Sequence, residues 1–160
     1  METVLNKESV KRVKIAIENF DSKLKIIVLN STARTAKDAA LSLNCEVGAI
    51  VKSLLLKNGK SFLICLVAGD KRCSLNKLKK ILNERDVSMA NANEVKENTG
   101  FSIGGVSPIA HIKKLDILVD KSLNRFSDVF AAAGHPNCVF KISYDELIKI
   151  TNGIVKEISE

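Results

Sequence analysis

A glycine-rich stretch closed by a proline, GFSIGGVSP at residues 100–108, and a lysine inside the apolar run AIVKSLLL at residues 49–56 are the parts of this chain best suited to chemistry. Gly104 and Gly105 carry no Cβ, so either can take φ > 0 and leave its N–H and C=O uncovered, while Pro108 fixes φ and biases Ser107 towards an extended conformation. Main-chain groups on such a loop can hold a carbonyl or phosphate oxygen and stabilise a developing oxyanion. The competing reading is an ordinary tight turn.

Lys52 poses a second problem. If its segment is a strand, period-two alternation places it on one face with Ile50, Leu54 and Leu56. An ammonium there must find an anionic or carbonyl partner or fall in pKa, unless it lies at a rim where the stem packs and the head reaches water. Ser53 faces the other way and can contribute its hydroxyl at a strand end. Gly134-His135-Pro136 reads as a second compact loop, in which His135 either donates a hydrogen bond or acts as a base, or is simply a surface-turn histidine. His111, beside Lys113 and Lys114, reads as part of exposed chain.

The elements that position these residues follow from periodicity and turn chemistry. Val10, Val13, Ile17 and Phe20 predict an amphipathic helix over 9–20, followed by a short strand at 25–29. Thr35 with Asp38 caps a helix that ends near Asn44. Residues 49–57 and 61–68 flank Asn58-Gly59 and should pair as a central antiparallel hairpin. Ser74 caps a helix over 75–82, and another over 93–99 stops at Gly100. Short strands follow at 117–120, 128–132 and 139–142. Ser143 and Glu146 form a capping box for a helix to Thr151, and 154–158 adds an edge strand. This irregular alternation predicts an α/β (α+β) fold, a mixed and partly barrel-like β-sheet with surrounding helices, not a regular parallel βαβ array.

At 160 residues the chain is read as one domain over 1–160, with 1–30 an N-terminal helix-and-strand extension. Its four scattered cysteines read as reduced thiols, and no segment resembles a signal peptide or a spanning helix, so a cytoplasmic location is expected. Residues 1–80 hold 16 Lys/Arg against 7 Asp/Glu, whereas 81–160 hold 9 against 11. That asymmetry favours a polyanionic partner, with a plainly solvated basic surface as the alternative. One Tyr and no Trp leave few aromatic platforms for stacking bases, which favours backbone or end recognition of a nucleic acid over reading a run of bases.

Several motifs fail. Gly59-Lys60-Ser61 ends like a P-loop, but Leu54 stands where the first glycine belongs and a strand stands where the helix belongs. Gly100 and Gly104-Gly105 do not make G-x-G-x-x-G and follow a helix. No G-x-S-x-G elbow or zinc-ligand spacing is present, so no metal or cofactor is expected.

Taken together, TAKDAA at 35–40, VKSLL at 51–55, AGDKR at 68–72, TGFSIGGVSP at 99–108 and AAGHPNCVFKI at 132–142 resemble the YbaK family, the free-standing form of the editing domain associated with prolyl-tRNA synthetases. The resemblance runs from about Ser31 to Thr151, and the first thirty residues add little. It implies trans-editing: hydrolysis of the ester joining a wrong amino acid, such as alanine or cysteine, to the 3′-terminal adenosine of a tRNA, often a proline tRNA. The family's lysine matches Lys52, its G-x-x-x-P loop matches Gly104 to Pro108, and the histidine of some members matches His135. Ala110 stands where a second glycine is common.

The roles so implied are catalytic for Lys52, Gly104 and Gly105, and substrate-binding for Ser53, Val106, Ser107, Pro108, Gly134 and His135. Lys71 and Arg72 are either tRNA-backbone contacts or surface charge. A synthetase is a possible further partner, and a catalytically silent tRNA- or synthetase-binding module is the rival reading.

Overall fold

The computed structural model describes residues 3–30 and 35–160, so the start of the family resemblance at Ser31 lies outside the described residues. Its framework is a mixed sheet of eight strands: Ile26–Val28 (β1), Ile50–Asn58 (β2), Ser61–Ala68 (β3), Val87–Met89 (β4), Asp116–Asp120 (β5), Asp128–His135 (β6), Cys138–Ser143 (β7) and Ile154–Lys156 (β8). They lie in the order β1-β7-β6-β2-β3-β5-β8, with β4 also beside β2. β1/β7, β6/β7, β2/β3 and β2/β4 pair antiparallel, whereas β2/β6, β3/β5 and β5/β8 pair parallel.

β2 and β3 are apolar on both faces because both faces are covered. Val51, Leu55, Ile64 and Leu66 belong to a core shared with the helix Glu8–Phe20 (α1), which contributes the fully buried Val10, Val13 and Ile17. On the other side Leu56, Leu63, Cys65 and Val67 pack with Leu78 of the helix Leu75–Leu82 (α3) and with Ile158. Three further helices, Ala36–Leu43 (α2), Ala92–Thr99 (α4) and Tyr144–Thr151 (α5), are capped by Thr35, Asn91 and Ser143, each accepting from a backbone N–H three residues on. The helix α1 fills part of the core and β1 lies at one edge of the sheet.

The structure shifts several expected boundaries. The β2–β3 turn is Gly59-Lys60, not Asn58-Gly59, because Asn58 pairs with Ser61. Gly134 and His135 lie within β6, past an irregularity in register after Ala132, and the turn to β7 is Pro136-Asn137. β4 was not foreseen: only Val87 of its three residues is buried, which leaves no alternation to detect. All four cysteines are free thiols.

Candidate active site

The sheet has a gap at its centre. The Ile50 carbonyl accepts from Gly69 N–H at 2.7 Å, so the even-numbered residues of β2 point their peptide groups at β3 and the odd-numbered ones point away. On that outer side β6 pairs only with Ile50 and Val51, and β4 joins only at Leu56, after Ala90 N–H donates to the Leu55 carbonyl at 3.0 Å. Ser53 falls between them. Among the described residues its peptide N–H and C=O face no neighbouring strand, and its buried Oγ has no hydrogen-bond partner.

A cavity of about 620 Å³ opens at this gap. Residues Val51 to Leu55 form one wall; Met89, Ala90 and Val95 form the β4–α4 side; Ile103, Gly104 and Val106 come from the glycine-proline loop; and Ala132, Pro136 and Val139 come from β6 and β7. Thr35 and Lys37, at the start of α2, stand at its rim. The lining is mostly carbon, with polar groups concentrated at Lys52 and Ser53 and on the main chain.

Lys52 has found the carbonyl partner its position demanded: Nζ donates to the Lys71 carbonyl oxygen. Partial burial lowers its pKa, while the nearby Cys73 and Asp70 act in the opposite sense. Asp70 is itself engaged by Arg125 through two bonds of 2.6 and 2.8 Å. Among the described residues no carboxylate forms a salt bridge with Lys52, so its charge is available to something entering the cavity. Lys71 thus serves the site through its main chain, and Arg72 exchanges backbone bonds with Glu160 at 3.3 and 2.8 Å. Neither side chain lines the cavity.

The loop divides its labour differently from expectation. Gly104 is exposed, has φ +95°, and offers an N–H that no acceptor among the described residues takes. Gly105 is corrected from a donor to a seat: its N–H already donates to Ser102 O at 3.0 Å, and a Cβ there would come within 2.9 Å of His135 N. Ser107 and Pro108 are buried away from the cavity, contrary to their expected contact with substrate. Ser107 Oγ accepts from Ile109 N–H at 3.3 Å, and its carbonyl bonds His111 Nε2 at 2.7 Å.

The two histidines are also redistributed. His111 is not exposed chain: its ring packs edge-on against Phe101 with centroids 6.2 Å apart, and burial lowers its pKa. His135 does not line the cavity, although its neighbour Pro136 does. Its Nδ1 accepts from Asn137 N–H at 3.0 Å, which leaves the proton of the neutral ring on Nε2. Gly134 lies beneath α1, where a Cβ would meet Ser9 O at 2.5 Å, so it contacts the helix and not the cavity.

Sequence reasoning missed the residues that hold these segments. Ser9 Oγ donates to Gly134 O at 2.8 Å. Arg12 Nε donates to Ala110 O at 2.8 Å, its Nη2 reaches Thr99 O at 3.3 Å, and its guanidinium lies 4.5 Å over the Phe101 ring. Ala110 has φ +64°, a left-handed conformation that strains any residue with a Cβ. No local signal marks Ser9 or Arg12 among the other polar residues of an amphipathic helix.

An aminoacyl-tRNA editing domain profile matches residues 30–150, which takes in α2, the gap and both loops. The chain belongs to the aminoacyl-tRNA editing domain family. A crystal structure of a proposed trans-editing enzyme for prolyl tRNA synthetase superposes with a TM-score of 0.91 at 36% identity, covering 96% of this chain and 98% of the other. A proposed Cys-tRNA(Pro)/Cys-tRNA(Cys) deacylase, EbsC of Enterococcus faecalis, is 26% identical over 126 residues, 78% of this chain and 77% of that protein. Proline–tRNA ligase of Thermosipho africanus is 36% identical over 93 residues, 58% of this chain and 16% of the ligase. Within the editing-domain family the fold is thus shared by small proteins and by a segment of a synthetase. Among the described residues no helix is long and apolar enough to cross a membrane.

Proposed function

We propose that this editing-domain protein is a free-standing deacylase that hydrolyses the ester of a mischarged tRNA, with proline tRNA carrying alanine or cysteine as the substrate. The observation that carries this reading is the meeting of Lys52, the free Gly104 N–H and the open edge of β2 in one cavity. Both the EbsC relative and the trans-editing neighbour support the proline-tRNA assignment. We read residues 1–160 as one cytoplasmic editing domain, with a prolyl-tRNA synthetase as its working partner.

An aminoacyl ester is already activated, so positioning and electrostatics supply most of what catalysis requires. Water adds to the ester carbonyl, the oxyanion develops towards the Gly104 N–H, and the C–O bond to the ribose breaks. The products are the free amino acid and a tRNA with its 3′-terminal hydroxyl restored. Lys52 anchors the terminal phosphate or orients the aminoacyl group, and Val106 forms part of the pocket wall. His135 acts through the turn that carries Pro136, and Lys71 and Arg72 contact the tRNA backbone.

The deciding experiment follows loss of the ester from alanyl- and cysteinyl-tRNA bearing the proline anticodon. Lys52→Ala is expected to lower kcat/KM by about 100-fold or more, the scale of losing one preorganised electrostatic partner, while the thermal transition stays within a few degrees. Wild-type turnover in that variant would remove Lys52 from the mechanism. Binding of the tRNAs without hydrolysis by the wild-type protein would instead make it a silent module.

A further inference from the structure

We propose that the aminoacyl group is held as a one-residue β-bridge on Ser53. Its α-ammonium donates to the Ser53 carbonyl oxygen, and its ester carbonyl accepts from Ser53 N–H. This assignment rests on the editing reading of the same cavity and adds how the substrate is recognised.

Three observations converge on it. First, Ser53 sits where the outer edge of β2 is vacated by β6 and not yet taken up by β4, so one residue's worth of peptide donor and acceptor faces the cavity. Buried peptide groups are nearly always paired, and a site that leaves a donor and an acceptor side by side is complementary to a ligand carrying the reverse pair. Second, an aminoacyl ester carries that pair: its nitrogen and carbonyl flank one Cα, as in any residue of an antiparallel ladder that exchanges two bonds with its partner. Third, Ser53 Oγ is buried without a partner, and an ammonium has three donors, so the hydroxyl can take a second one.

The bridge fixes direction as well as contact. In antiparallel sense, the substrate beyond its carbonyl runs back along β2, which places the ester oxygen and ribose opposite Lys52 and the ammonium towards Leu54 and β4. The amino-acid side chain then leaves on the Ser53 side of the sheet, where Val95 and Val106 belong to the same apolar core as Val51 and Leu55. That apolar floor favours an uncharged side chain, and the bridge geometry favours the L configuration. A D residue would turn its side chain to the other face of the sheet.

The test uses the full-length protein and proline tRNA charged with L-alanine or L-cysteine, their D enantiomers, and the des-amino acyl groups propionyl and 3-mercaptopropionyl. Each enzymatic rate is divided by that ester's spontaneous rate in the same buffer, which removes the ammonium's inductive activation. The des-amino esters are expected to lose about 10- to 100-fold in normalised kcat/KM, the scale of losing charge-assisted hydrogen bonds. The D esters are expected to lose about 10-fold or more. Ser53→Ala should lose only the hydroxyl's share and narrow the gap between amino and des-amino esters, and Ser53→Thr should restore it.

Equal normalised rates for amino and des-amino esters, or for L and D, would overturn the bridge while leaving the editing activity standing. An unchanged amino-to-des-amino ratio in Ser53→Ala would likewise remove the hydroxyl from ammonium binding. Failure to hydrolyse either L ester would overturn the editing reading and the bridge together.

Discussion

Burial lowers the His111 pKa, and its Nε2 bond to the Ser107 carbonyl, which acts in the opposite sense, does not offset that effect. Because its folded pKa lies below the ordinary 6.5, the unfolded chain binds a proton that the native state refuses as the pH falls. Stability from this residue is therefore complete above about pH 6.5 and is lost as pH falls towards the folded value, at no more than about 1.4 kcal/mol per pH unit. The thermal transition of the wild-type protein should fall more between pH 7.5 and pH 5.5 than that of His111→Gln. Parallel curves would show that the native state binds the His111 proton as readily as the unfolded chain does. At this scale the sequence was informative where a residue type clashed with its surroundings. Lys52 stood out because a charge interrupted an apolar run, and its carbonyl partner followed. Ser53 did not stand out, since its importance comes from two neighbouring strands that stop short of it.

Among the elements, α1 shows the same divide. Its apolar stripe was legible, and Val10, Val13 and Ile17 are fully buried as the spacing required, although Phe20 remains 39% exposed. Its polar face was not legible, because Ser9 and Arg12 reach carbonyls 125 and 98 residues away. Arg12 is a positioning residue: it holds Ala110 in a left-handed turn at the far end of the loop that presents Gly104. Arg12→Ala should lower kcat about 10-fold with KM little changed, since small misplacements of a preorganised group are costly. Added guanidinium should recover part of the rate, whereas Arg12→Lys, lacking the planar fork, should not. A fall in thermal stability with normal kcat would leave α1 a purely structural support.

For the whole molecule, the β2–β3 hairpin and the mixed class of the sheet were readable from turns and runs. The strand order was not, because the parallel pairings of β2 with β6 and β3 with β5 depend on partners that no local sequence names. The basic surplus of residues 1–80 has a measurable consequence. The logarithm of the affinity for tRNA should fall linearly with the logarithm of salt concentration, and Lys71→Ala with Arg72→Ala should reduce that slope by about one to two if both meet phosphates. An unchanged slope would return them to surface charge. Lys71→Ala leaves the carbonyl that receives Lys52 in place, so this experiment does not disturb the cavity.

The stitching of residues 158–160 carries one more consequence. Ile158 N–H and Ser159 Oγ each bond Asp120 at 2.8 Å, and Glu160 pairs with Arg72, next to the carbonyl that seats Lys52. The Lys52 seat is therefore braced from far away in sequence, and the amide hydrogens of Arg72, Ile158 and Glu160 should exchange as one cooperative unit.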